Sequence, residues 1–162
     1  MTRYHFDLVL LVLVALFAIV AASVADEQRG PRFLNSQQGD KLGLPFSEAV
    51  RAGDFLYLSG QIGNVPGELA PVRGGVGPES RQALLNVKHV LQRHGSAVQD
   101  VIKCTVFLVD MAEWAQFNEV YREFFKAPYP TRSAVGVKEL ALGARVEVEC
   151  LSYSPQHGAS AE

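Results

Sequence analysis

The sequence predicts an α+β domain: a mixed β-sheet with two helices packed on one face and a second face that is partly apolar. Three observations point there. Strand-like and helix-like runs follow one another in the order β-β-β-α-β-α-β-β, so the two kinds of element are partly segregated along the chain. Two segments, about Pro78–His94 and Met111–Phe125, carry apolar residues at helical spacing. The last strand alternates Val146, Val148 and Cys150 with Glu147, Glu149 and Leu151, which puts two carboxylates on its second face. A sheet with helices on one side and apolar area on the other is most economically buried by self-association.

The chain has 162 residues, 48% hydrophobic and 20% charged, an ordinary globular composition for one domain. Residues 1–25 stand apart. A short polar start, "MTRYHF", precedes the unbroken apolar run Leu8–Ala22, and Ser23-Val24-Ala25 offers small residues ahead of Asp26. This layout reads as a secretory signal peptide cleaved after Ala25. The rival reading is a retained membrane anchor, since a spanning helix needs about 20 apolar residues. Both readings put the folded part outside the cytoplasm, periplasmic or secreted, with a membrane attachment only if the segment is kept. The rest divides into a polar segment (26–44), the folded domain (45–155) and a flexible tail (156–162).

"RFLNS" is a candidate edge strand in the polar segment. "FSEAV" and "FLYLSG" read as a hairpin turning at Ala52-Gly53-Asp54. "NVPGELAPVRGGVGP" is a loop, punctuated by Gly and Pro. It lacks the GK[ST] ending of a phosphate-binding loop. The first helix follows from about Pro78, which suits a first turn, with Ala83, Leu84, Val87, Val90 and Leu91 on one face and Gly95 to stop it. "DVIKCTVFLVD" is too continuously apolar to face solvent and reads as a central strand. Asp110 then caps a second helix whose buried stripe is Trp114, Phe117, Tyr121 and Phe124. "TRSAVGV" and "ARVEVECLSYS" close the sheet.

The formal net charge is −2 and stays so without residues 1–25, because Arg3 and Asp7 leave together. With no basic stripe, nucleic acid is a poor partner. Cys104 and Cys150 lie in apolar strand-like runs; exported, they could pair, but we read them as buried, unpaired thiols. No CxxC or HxxxH spacing suggests a metal, and the four histidines are scattered.

The segments "FLYLSGQIG", "GVGPESRQALLNVKHVLQRHG", "VIKCTVFLVDMAEWAQFNEVYREFF", "PTRSAVGV" and "LGARVEVEC", in that order, resemble the Rid family (reactive intermediate deaminases, or YjgF superfamily). The resemblance spans Phe33–Tyr153. It implies a chorismate-mutase-like fold assembled as a homotrimer, with active sites in clefts between subunits. It also implies hydrolysis of small imino and enamino acids, such as 2-aminoacrylate and 2-iminobutanoate, to 2-oxo acids and ammonia, without cofactor or metal.

By that resemblance Arg132 is the clamp for the substrate carboxylate, a role its planar fork of donors suits. The competing reading pairs Arg132 with Glu147 or Glu149 as a structural ion pair. Glu147 matches the glutamate that directs water to the imine carbon, and Glu149 reads as an ion-pair or interface residue. Ser59 and Gly60 match the segment lining the substrate site, and Asn118 an asparagine of the cleft wall. Each also has a bland reading, a structural serine or a surface amide. The sequence departs from the family where "GPYSQA" becomes "GLPFSEAV": Phe46 replaces a tyrosine and Glu48 a glutamine. Phe46 cannot donate a hydrogen bond, which leaves the substrate open. Ala134 stands where a cysteine is common. The alternatives to a deaminase are a non-catalytic binder of small carboxylates and, less favoured by the charge, a ribonuclease.

Overall fold

The computed structural model describes residues 30–155; the expected leader and the tail after Pro155 lie outside the described residues. The elements are β1 (Arg32–Leu34), α1 (Gln37–Leu42), β2 (Ala49–Ala52), β3 (Phe55–Leu58), β4 (Gln61–Ile62), α2 (Val76–Arg93), β5 (Val101–Leu108), α3 (Trp114–Phe124), β6 (Thr131–Gly136) and β7 (Val146–Tyr153). The strands form one mixed sheet ordered β1-β2-β3-β7-β5-β6, with β4 also paired to β7. β5 and β6 run parallel and the other pairs antiparallel. The α+β expectation holds, with α2 and α3 packed on one face.

The N-terminal side holds more regular structure than a polar segment suggests. The edge strand read in "RFLNS" forms as β1 and pairs with β2. The segment read as irregular also holds α1, nucleated by Ser36, whose hydroxyl accepts from the Gly39 amide at 3.1 Å.

Apolar spacing puts Leu84, Val87 and Leu91 of α2 and Phe117 of α3 over Leu56, Val106 and Val148 of the sheet. All seven are essentially inaccessible to water, and each contributes about 1.5–3 kcal/mol by burial. α2 ends where Gly95 takes a φ of 71°, a conformation that favours glycine. The Ser96 amide then donates to Leu91 O at 2.9 Å and the Gly95 amide to Gln92 O at 3.3 Å, a Schellman stop. Before α3, the Asp110 side chain accepts from Ala112 N at 2.9 Å and caps a single 3₁₀ turn, so the α-helix starts three residues later than Met111. That shift turns Trp114 outward, 42% exposed, and corrects the expected stripe. Phe117, Val120 and Tyr121 are the buried face.

Arg51 is buried in the same layer. Its guanidinium donates to His94 O at 2.7 Å and to Ser154 O and Oγ at 3.2 Å, fastening β2 to the end of α2 and to the last strand. Burial lowers its pKa, and the neighbouring Arg32 charge adds to that. Glu79, in the first turn of α2, accepts from the amides of Arg145 at 2.6 Å and Val146 at 3.3 Å. It thereby fixes where β7, and so Glu147, begins.

The two cysteines are not free. Cys104 on β5 and Cys150 on β7 stand directly opposite in the antiparallel register, 4.1 Å apart at Cα, and are joined by a disulfide. The reading as unpaired thiols is overturned, because neighbouring strands place both sulfurs in reach on the core side.

On the open face Phe33, Val50, Tyr57 and Leu151 line up across β1, β2, β3 and β7. Phe33 is 71% and Tyr57 49% exposed, the apolar second face the sequence suggested.

Candidate active site

The residues singled out in the sequence fall into two groups, one on each face of the sheet. The first group is on the open face. Val146, Val148 and Cys150 point into the core, so alternation sends Glu147 and Glu149 to the other side. Gly60, between β3 and β4, lies against Glu147: a Cβ on Gly60 would sit 1.7 Å from Glu147 Oε1. The glycine is there because the carboxylate occupies the space. Ser59 precedes it, and its hydroxyl donates to Ser47 O at 2.6 Å. The serine therefore anchors the loop carrying Phe46 and keeps only its lone pairs for a ligand. Phe46 is 58% exposed and shares an open recess of about 450 Å³ with Phe33, Leu44, Val50 and Ser59.

Among the described residues no hydrogen bond or ion pair engages the carboxylate of Glu147. Partial burial raises its pKa, and the like charge of Glu149 raises it further. A carboxylate held above its ordinary range, without an ion-pair partner among the described residues and half-buried on the open face, has the character of a general base.

The second group is on the helix-covered face. β6 pairs in parallel with β5, with Arg132 beside Cys104, and this register points Arg132 to the core side. Its guanidinium lies over the Tyr121 ring at 4.5 Å and within 5.7 Å of the Phe117 ring centre. Asn118 is half-buried on the same helix, one turn before Tyr121. Among the described residues Arg132 has no carboxylate partner, so the structural ion pair with Glu147 or Glu149 is not formed within the chain. Glu149 likewise pairs with no cation there. The sheet lies between Arg132 and Glu147.

Glu48, where the family has glutamine, is spent locally. It receives Arg93 and the His94 ring, the latter at 3.1 Å, and its amide donates to Asn35 Oδ1 at 3.0 Å. A second recess, about 720 Å³, lies along Lys88, Gln92, Phe124 and Pro128 and contains none of these residues. Among the described residues no cluster of His, Cys, Asp and Glu could hold a metal ion. Sequence reasoning missed Tyr121 and Phe117 as neighbours of Arg132, reading them only as core. The signal was their i, i+4 spacing on the helix that covers β6.

The profile of the family described as endoribonuclease L-PSP matches residues 41–154. Over 107 residues, 66% of this chain and 84% of the relative, the chain is 41% identical to a protein of Dermatophagoides farinae named 2-iminobutanoate/2-iminopropanoate deaminase. The human protein of the same name is 39% identical over 108 residues, 67% of this chain and 79% of its own. The crystal structure of RidA from the Antarctic bacterium Psychrobacter superposes with a TM-score of 0.64 at 36% identity, over 68% of this chain and 89% of that one.

Proposed function

The chain belongs to the endoribonuclease L-PSP (Rid) family, and on that footing we propose that it hydrolyses small 2-imino and 2-enamino acids to 2-oxo acids and ammonia. The single observation carrying this reading is a guanidinium seated on aromatic rings with no carboxylate among the described residues to neutralise it. Such a cation is prepared for a carboxylate that arrives from outside. The relatives named as deaminases act on substrates that carry one.

In this account Arg132 grips the substrate carboxylate through two parallel hydrogen bonds. Glu147 takes a proton from water as the oxygen bonds to C2 and passes that proton to the imine nitrogen, giving the neutral carbinolamine. The carbinolamine then collapses: Glu147 takes the proton of the C2 hydroxyl and delivers it to the amine nitrogen as the C–N bond breaks, leaving the carbonyl, ammonia and an ionised Glu147. Water and imine thus yield oxo acid and ammonia with no redox change. Much of the rate gain is orientation. The Gly60 backbone and Ser59 border the Glu147 half of the cleft, with Phe46 at its rim and Asn118 on the wall of the Arg132 half.

The two halves face opposite sides of the sheet, which supports a homotrimer in which Arg132 of one subunit meets Glu147 of the next. The apolar open face supplies the surface for that contact. An exported, signal-cleaved protein is the companion proposal; pairing of Cys104 with Cys150 fits an oxidising compartment. N-terminal sequencing of the exported protein should then begin at Asp26, and recovery of an intact Met1 in a membrane fraction would favour the anchor.

The test of function is to generate 2-aminoacrylate in situ and follow pyruvate release. The protein should accelerate it, and Arg132→Ala should lower kcat/KM about 100-fold. No acceleration over Arg132→Ala would sink the reading. Stabilisation by 2-oxo acids without turnover would make the protein a binder instead. RNA cleavage lost with the same substitution would favour the family's nuclease description, against which the net charge of −2 argues.

A further inference from the structure

Four aromatic rings run together along α3 and just past its end. Phe117 and Tyr121 are 5.7 Å apart at their centres, Tyr121 and Phe125 4.6 Å, and Phe124 and Phe125 4.9 Å. Phe117, Tyr121 and Phe125 are buried, so the row is locked by packing and cannot swing away. Arg132 lies across this row from β6, nearest to Tyr121. We propose that Tyr121 is the positioning residue of the carboxylate clamp: its ring holds the Arg132 guanidinium by a cation–π contact, which leaves the guanidinium N–H groups for the ligand.

The inference rests on the reading above that Arg132 takes the substrate carboxylate. A free arginine carries several freely rotating bonds, and immobilising it on binding costs affinity. A partner carboxylate would hold the guanidinium but would use the donors that the substrate needs. An aromatic face attracts the cation without using an N–H donor. The ring remains a neutral phenol at any working pH: burial pushes its hydroxyl up to about 12, with the Arg132 charge pulling the other way. That hydroxyl is buried and finds no hydrogen-bond partner among the described residues, so it adds nothing to the fold that phenylalanine would lose. The face of the ring, not its hydroxyl, does the positioning.

This separates positioning from packing. Tyr121→Phe keeps the ring, and a trifluorinated phenylalanine at the same position keeps the shape while draining the face of electron density. Binding of 2-oxobutanoate is measured by calorimetry on the full protein, with imine turnover beside it. The Phe variant should stay within about twofold of wild type and melt no lower. The fluorinated variant should bind about 3- to 30-fold more weakly, with KM raised and kcat unchanged. Tyr121→Leu should match the fluorinated variant in KM. If Arg132→Ala abolishes binding while fluorination leaves it at the Phe value, Tyr121 is only core and the inference falls alone. If Arg132→Ala binds as wild type, the clamp itself is wrong and the inference falls with it.

Discussion

At the scale of single residues, Glu147 makes two opposite predictions for activity and stability. Its folded-state pKa is raised by burial first and by Glu149 second. The fold therefore favours the protonated carboxyl, and its stabilising contribution is lost as pH rises through the folded pKa. Glu147→Gln should raise the melting temperature at neutral pH while abolishing hydrolysis. As a base it must be ionised, so kcat/KM should rise with pH through the same raised pKa. Glu149→Gln removes the neighbouring charge and should move that acid limb to lower pH. A limb unmoved by Glu149→Gln would remove Glu147 from the role. Gly60→Ala makes a third test at this scale, since the added methyl would displace the end of the Glu147 side chain. Activity should fall at least about tenfold, for a misplacement of roughly an ångström, and stability much less. The residue types were legible in the sequence, because a lone arginine at the start of a strand and a glutamate within one are read directly. That Arg132 meets no carboxylate among the described residues was not legible, since it depends on which face each strand presents.

At the scale of elements, the strands and long helices were legible wherever local chemistry decides them. Gly95 and Asp110 set helix ends within a few residues, and alternation in β7 sorted Glu147 from Val148. The misses are non-local or short. α1 has six residues and hardly any apolar pattern; a capping serine is its main signal. The cysteines are 46 residues apart, and nothing in that spacing reports that β7 inserts between β3 and β5 to set them opposite each other. The bond they form ties the strand next to β6 to the strand bearing Glu147. Closing a loop of that length contributes about 2–4 kcal/mol, so the Cys104→Ala/Cys150→Ala double variant should lose that much stability in denaturant titration. Thiol titration of the untreated folded protein should find no free sulfhydryl; two reactive thiols would contradict the pairing.

At the scale of the whole molecule, the proposed site depends on assembly. One chain carries the Arg132 cation on the helix-covered face and the Glu147 carboxylate on the open face, and its own sheet keeps them apart. The resemblance assigns both residues to one site, but no pattern in the sequence reports that they lie on opposite faces of the sheet. The apolar row Phe33, Val50, Tyr57 and Leu151 offers the surface on which copies would meet, and Tyr57→Glu should shift the protein toward monomer in sedimentation and lower activity in parallel. The most direct measurement mixes two inactive proteins, Arg132→Ala and Glu147→Gln, under conditions that exchange subunits. If each site takes its arginine from one subunit and its glutamate from the next, random mixing should restore about a quarter of wild-type sites. Imine hydrolysis should return to that level. Activity that stays at the level of the two parents, in a sample shown to have exchanged subunits, would contradict the account.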